Sequence, residues 1–155
     1  MTMFRALAAL LLMLPAACQA GNPDVTKAAS GLSVVPLSIR TAGGKTYSFK
    51  VEVARSESEQ ARGLMFRDKL APNGGMIFPM NPPRPASFWM KNTVISLDLI
   101  FIRPDGVIAR IAAEAVPYSL EPIDSGEPVS AVLEIPGGRA AELGISEGDK
   151  VRWTR

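Results

Sequence analysis

LDLIFIRPDGVIARIAA, residues 97–113, decides the fold. Leu97, Leu99, Ile100, Phe101 and Ile102 place apolar side chains on both faces of an extended chain, so this strand belongs in the middle of a sheet that is covered on both sides. Pro104-Asp105-Gly106 has turn chemistry, and the apolar, partly β-branched run from Val107 to Ala113 returns as an antiparallel partner. Directly upstream, Ala86 to Val94 crowds aromatic, thioether, cationic and amide side chains together. That stretch reads as the wall of a site leading into core.

Working outward, Val34–Thr41 and Thr46–Ala54 alternate apolar and polar residues and are joined by Ala42-Gly43-Gly44-Lys45, a second hairpin. Tyr47, Phe49, Val51 and Val53 share one face of its second strand, while Ser48, Lys50 and Glu52 share a face expected to be wet. Ser56 and Glu59 have the spacing of a capping box, which starts a short helix running towards Met65 past the weakening Gly63. Met76–Met80 is a brief strand, and Asn81-Pro82-Pro83-Arg84-Pro85 a stiff loop expected to stay outside any ladder. Pro117–Pro128 reads as a surface loop, Val129–Ile135 as a strand, and Gly138–Leu143 as a helix closed by Gly144 in the left-handed conformation. Val151–Thr154 supplies a last strand. Seven strands and two short helices predict a mainly β protein, a compact antiparallel β-barrel or sandwich.

The 155 residues include 17 basic and 15 acidic side chains, interspersed without blocks, so nucleic acid is not an expected partner. Residues 1–17 read as a signal peptide: Arg5, then the apolar run Ala6–Leu14, then Pro15, Ala16 and Ala17. The run is too short to span a bilayer. Cys18, the sole cysteine, follows LPAA in the position of a bacterial lipidated cysteine, with cleavage after Ala20 as the competing outcome. Residues 18–33 read as a lipidated or flexible tether, and 34–155 as one β-rich domain. The expected location is therefore the periplasm or cell envelope, with the membrane reached through a lipid at Cys18. The chain has no histidine, which excludes Ser-His-Asp and Cys-His catalysis and His-ligated metal sites.

Arg62-Gly63-Leu64-Met65-Phe66-Arg67, Gly75-Met76-Ile77-Phe78, Phe88-Trp89-Met90-Lys91-Asn92-Thr93 with Leu97-Asp98, and Leu133-Glu134-Ile135-Pro136-Gly137-Gly138 with Gly148-Asp149 occur in that order. On these motifs the chain resembles the domain of unknown function 192 family of small, mostly exported prokaryotic proteins, over about residues 34–154. The resemblance implies a β-rich single domain and brings no agreed activity, substrate or cofactor. Ser96 departs from it, standing where the family pattern usually has proline.

Arg62, Arg67, Trp89, Lys91, Asn92, Asp98 and Glu134 form the candidate ligand-binding set. Buried among apolar strands, the two acids would neutralise cations and cap loop amides, or orient the cations of a recognition pocket. In that pocket Arg62, Arg67 and Lys91 would hold an anionic or hydroxyl-rich ligand, Trp89 would offer a stacking face, and Asn92 both donor and acceptor. The partners this admits are a small molecule, a glycan or an envelope protein. A glycan-acting enzyme would need Asp98 and Glu134 as an acid and base pair, and Ser-Lys chemistry would need Ser87 or Ser96 beside Lys91. Met65, Met76, Met80 and Met90 with Trp89 could instead carry Cu(I), or simply fill core. No cofactor is expected for the binding module, and no catalytic residue stands out.

Overall fold

The structure, a computed structural model, describes residues 26–154. The expected signal peptide, Cys18 and the first part of the tether lie outside the described residues. Eight strands build one sheet: β1 (Thr26–Lys27), β2 (Ser33–Arg40), β3 (Thr46–Val53), β4 (Gly74–Arg84), β6 (Leu97–Ile102), β7 (Ile108–Ala115), β9 (Val129–Pro136) and β10 (Lys150–Trp153). Their spatial order is β1-β2-β3-β4-β9-β6-β7, with β10 also pairing β2. Strands β5 (Ser87–Phe88) and β8 (Ile123–Asp124) form a separate ribbon. All pairings are antiparallel except β3 with β4, and the connection between those two carries helix α1 (Glu57–Arg62). Helix α2 (Arg139–Leu143) follows β9.

The protein is mainly β, as the alternation predicts, and it is sandwich-like. The barrel alternative is not realised. One isolated bridge, Val107 to Lys150, brings the β7 end of the sheet near β10, but no continuous ladder closes it.

Strand β6 is buried along its whole length between β9 and β7. Its period of two feeds two separate cores. Ile100 and Ile102 join Ile77, Leu133 and Ile135 beneath β2, β3, β10 and α2. Leu97, Leu99 and Phe101 join Met76, Phe78 and Val132 on the other face, roofed by Leu64, Ala86, Phe88 and Met90. Phe88 sits edge-on to Phe78 at 5.1 Å and to Phe101 at 6.5 Å between ring centroids, tying the roof to the sheet. Among the described residues this second face is roofed by segments outside the main sheet, and a cleft forms there.

Local chemistry sets the helix boundaries. Ser56 Oγ accepts from the Glu59 amide, and the Glu59 carboxylate accepts from the Ser56 and Arg55 amides, completing the capping box. Those amides hold the Glu59 carboxyl below its ordinary range. The helix ends at Arg62 instead of running to Met65, because Gly63 adopts φ 47°, ψ −134°. Gly144 closes α2 in the left-handed region, as expected.

Two expectations are corrected. The proline segment does enter the ladder: β4 pairs β9 from Met76↔Glu134 to Pro79↔Ala131, slips across the prolines, and resumes at Arg84↔Val129, where the backbone again has an N–H to offer. The 117–128 segment is not all loop, since Phe88 pairs Ile123 and Ser125 exchanges hydrogen bonds with Ala86. Within the described part of the expected tether, Thr26 and Lys27 pair with Val34 and Ser33.

Candidate functional site

A cleft of about 390 Å³ lies against the second face of the sheet, between α1 and the chain from Arg84 to Thr93. Glu134 belongs to its lining. Cross-strand pairing puts Glu134 in one row with Met76 on β4 and Leu99 on β6, so its side chain enters the apolar layer. It is 5% exposed and has no hydrogen-bond or ionic partner among the described residues. Burial with no compensating charge pushes its carboxyl up to about 8, so at neutral pH it is mostly a protonated acid with an O–H to donate.

The walls are cationic and aromatic. Arg62 comes from the last turn of α1 and Arg84 from the end of β4; both are exposed, and neither is in an ion pair among the described residues. Gln60 donates to the Ala54 and Pro79 carbonyls at 3.1 and 3.0 Å, which pins α1 to the sheet. Trp89 is half exposed, and the Lys91 ammonium stands 5.0 Å from its ring centroid.

Beside the mouth, three loops are stitched together by backbone hydrogen bonds. Phe66 donates to the Asn92 carbonyl at 2.8 Å, Met90 to Ser119 at 2.9 Å and Tyr118 to Thr93 at 3.1 Å. Phe66, Asn92 and Tyr118 all have positive φ, at 63°, 55° and 62°. Holding a non-glycine residue there costs on the order of 1–3 kcal/mol. Phe66 and Tyr118 are nevertheless exposed, so burial of their rings does not offset the strain.

Residues 38–153 match the DUF192 family, described as uncharacterized ACR. The chain belongs to this family. Two solved structures resemble this DUF192 protein closely. A protein of unknown function from Novosphingobium aromaticivorans DSM 12444 is 49% identical, with TM-score 0.80, over 90% of this chain and 99% of that one. A Sinorhizobium meliloti 1021 protein, carried under the provisional name of a transcription regulator, is 42% identical, with TM-score 0.77, over 79% of this chain and 95% of that one. No match was found among curated proteins.

Of the residues singled out in the sequence of this DUF192 domain, Arg62, Trp89 and Glu134 meet at the cleft. The others do not join them. Arg67 makes a two-pronged ion pair with Glu52 at 3.0 and 2.9 Å, and Glu52 also accepts from the Ser30 hydroxyl. Lys91 lies on the rim over Trp89, and Asn92 directs Nδ2 at the Met65 sulfur, 3.9 Å away.

Asp98 lies on the opposite face of the sheet. It pairs with Ile135 while Glu134 pairs with Leu99, and successive residues of a strand point to opposite faces. The two acids therefore cannot work together on one glycosidic bond, which removes the acid and base pair. Among the described residues Asp98 also has no cationic partner. Its fully buried carboxylate accepts from the amides of Glu114, Gly138 and Ala140 at 2.8–2.9 Å, anchoring β7 and capping α2. Glu134, conversely, is in no ion pair among the described residues.

The methionines divide: Met65 and Met80 line the cleft, whereas Met76 and Met90 are each 1% exposed in the core. Among the described residues no cluster of acidic or cysteine side chains could hold a metal. Ser96 donates to the Ala115 carbonyl at 3.2 Å, and Ser87 lines the cleft while Lys91 leans on Trp89.

Sequence reasoning missed Arg84, Phe66, Tyr118 and Glu52. Arg84 was hidden inside a run of prolines, although a lone cation in a stiff loop is a usable signal. Left-handed aromatics leave no local trace in the chain.

Proposed function

We propose that this DUF192 domain is an accessory binding module of the cell envelope, exported by its N-terminal segment and tethered through Cys18, that holds a small ligand in the cleft between α1 and residues 84–93. The carrying observation is the strained rim: three of the four non-glycine residues with positive φ sit on the loops beside this one opening. Strain of that kind persists where recognition uses the resulting geometry. The cleft volume suits a small molecule or a sugar unit, and Trp89 presents a flat face for stacking. Catalysis is not part of the proposal.

The regulator name of the Sinorhizobium protein is not extended to this chain. Among the described residues of this chain the helices, of six and five residues, are too short to serve as recognition helices, and the charges of the sequence are interspersed.

A thermal-shift screen of the full chain against sugars, peptidoglycan fragments and anionic metabolites tests the proposal, since a ligand selective for the native state raises the apparent midpoint. The expected result is a saturable rise that disappears in a folded Trp89→Ala variant. A rise unaffected by Trp89→Ala and by Arg84→Ala would place binding elsewhere and refute the cleft assignment.

A further inference from the structure

We infer that the cleft is an oxyanion site, in which Arg62 and Arg84 hold the carboxylate or phosphate of a small ligand and the Glu134 carboxylic acid donates a hydrogen bond to it. This rests on the cleft being the binding site and names the chemistry of its occupant.

Three observations converge. Glu134 lines an open cleft with no side-chain partner among the described residues, and its carboxyl oxygens stay accessible there, so a ligand entering the cleft can take its hydrogen bond. Its neighbours in the row, Met76 and Leu99, are apolar and cannot serve. Arg62 and Arg84 line the same cleft from two different elements with no ion-pair partner among the described residues, and guanidinium forks match planar or tetrahedral oxyanions.

The polar groups that await a ligand are thus mainly donors. A cation would meet two arginines, and a neutral ligand would gain nothing from their charge. The ring or apolar body attached to the oxyanion would rest against Trp89 and Met65.

The charged groups around Glu134 are few. Arg62 from α1 and Arg84 from β4 line the same cleft and Lys91 lies on its rim, yet none of them offsets the burial that raises the Glu134 carboxyl; Glu52 lies one strand beyond Met76 in the same row, already paired with Arg67. The neighbouring strand β6 contributes only Leu97, Leu99 and Phe101 to this layer. Ionising Glu134 therefore removes the donor and puts a negative charge beside the bound anion. Binding should weaken as pH rises through about 8.

The test uses full-chain protein and three probes with one kind of ring: glucuronate, glucose 6-phosphate and glucose, followed through the Trp89 indole N–H resonance. At pH 6.5 at least one anion should bind about tenfold or more tightly than glucose, the discrimination expected of a charge-assisted hydrogen bond. Which anion wins separates a carboxylate from a phosphate ligand. For the tighter anion, Arg62→Ala and Arg84→Ala should each weaken binding about tenfold while the spectrum stays folded. Between pH 6.5 and pH 9 glucuronate should lose about tenfold in affinity, and Glu134→Gln, which keeps a donor and cannot ionise, should remove most of that loss.

Glucose binding as well as both anions would overturn the oxyanion assignment and leave the cleft a binding site. No response to any of the three would overturn both. An unchanged pH profile in a folded Glu134→Gln variant would overturn the part given to Glu134.

Discussion

Replacing Glu134 by glutamine should make the protein more stable at neutral and alkaline pH, although it changes a group in the middle of the proposed site. In the unfolded chain this carboxyl loses its proton near 4.5, whereas in the fold burial delays that loss to about 8. Between those values the folded state holds a proton that the unfolded state has released, so rising pH favours unfolding. The contribution is fully present below 4.5 and gone above about 8. A span of about 3.5 pH units at 1.36 kcal/mol each amounts to about 5 kcal/mol, of which about 3 is already lost at pH 7. Glutamine has similar shape and polarity but does not titrate. Urea denaturation of both proteins at pH 4.5, 7 and 9 should give a stability difference that starts near zero and widens in favour of the variant to about 5 kcal/mol. Other titrating groups cancel in that difference. If the gap widened by less than about 1 kcal/mol, Glu134 would be ionised or compensated in the fold, and the reasoning about its burial would be refuted.

Asp98→Asn keeps the shape of the hub but turns an amide N–H towards a backbone donor, and should cost about 2–4 kcal/mol in urea denaturation. Phe66→Gly relieves a left-handed residue whose ring is exposed, so the thermal midpoint should rise by an amount equivalent to about 1 kcal/mol while ligand affinity falls. Gly75→Ala should lower the urea midpoint by about 2 kcal/mol or more, because the new Cβ would sit 2.4 Å from the Glu134 carbonyl oxygen between two strands.

The framework of the fold was legible because its signals are local. The capping box at Ser56 and Glu59, the Pro104-Asp105-Gly106 turn and the two-sided apolarity of Leu97–Ile102 each act over a few residues, and each is realised. What could not be read depends on register between distant strands. That Asp98 and Glu134 face opposite ways follows from the β6 and β9 pairing, which neither segment states alone. The same holds for Glu52. Alternation placed it on a wet face with Ser48 and Lys50, which are exposed, but Arg67 and Ser30 close over it and leave it 9% exposed. Of the site, Arg62, Trp89 and Glu134 were found through their polarity amid apolar motifs. Arg84 and the two aromatics of the rim were not, since a slipped strand register delivers the first and left-handed loop residues the others.

The single parallel pairing in the sheet, β3 beside β4, has a consequence for how such a protein can change. Parallel neighbours cannot be joined by a tight turn, so about twenty residues must travel across one face of the sheet to connect them. That detour supplies one wall of the cleft, and none of the six residues of α1 is buried. Substitutions there can redraw the opening while the strand ladders stay as they are. Selectivity and foldability are thereby assigned to different stretches of chain, and one scaffold can be retuned for a new occupant without being rebuilt.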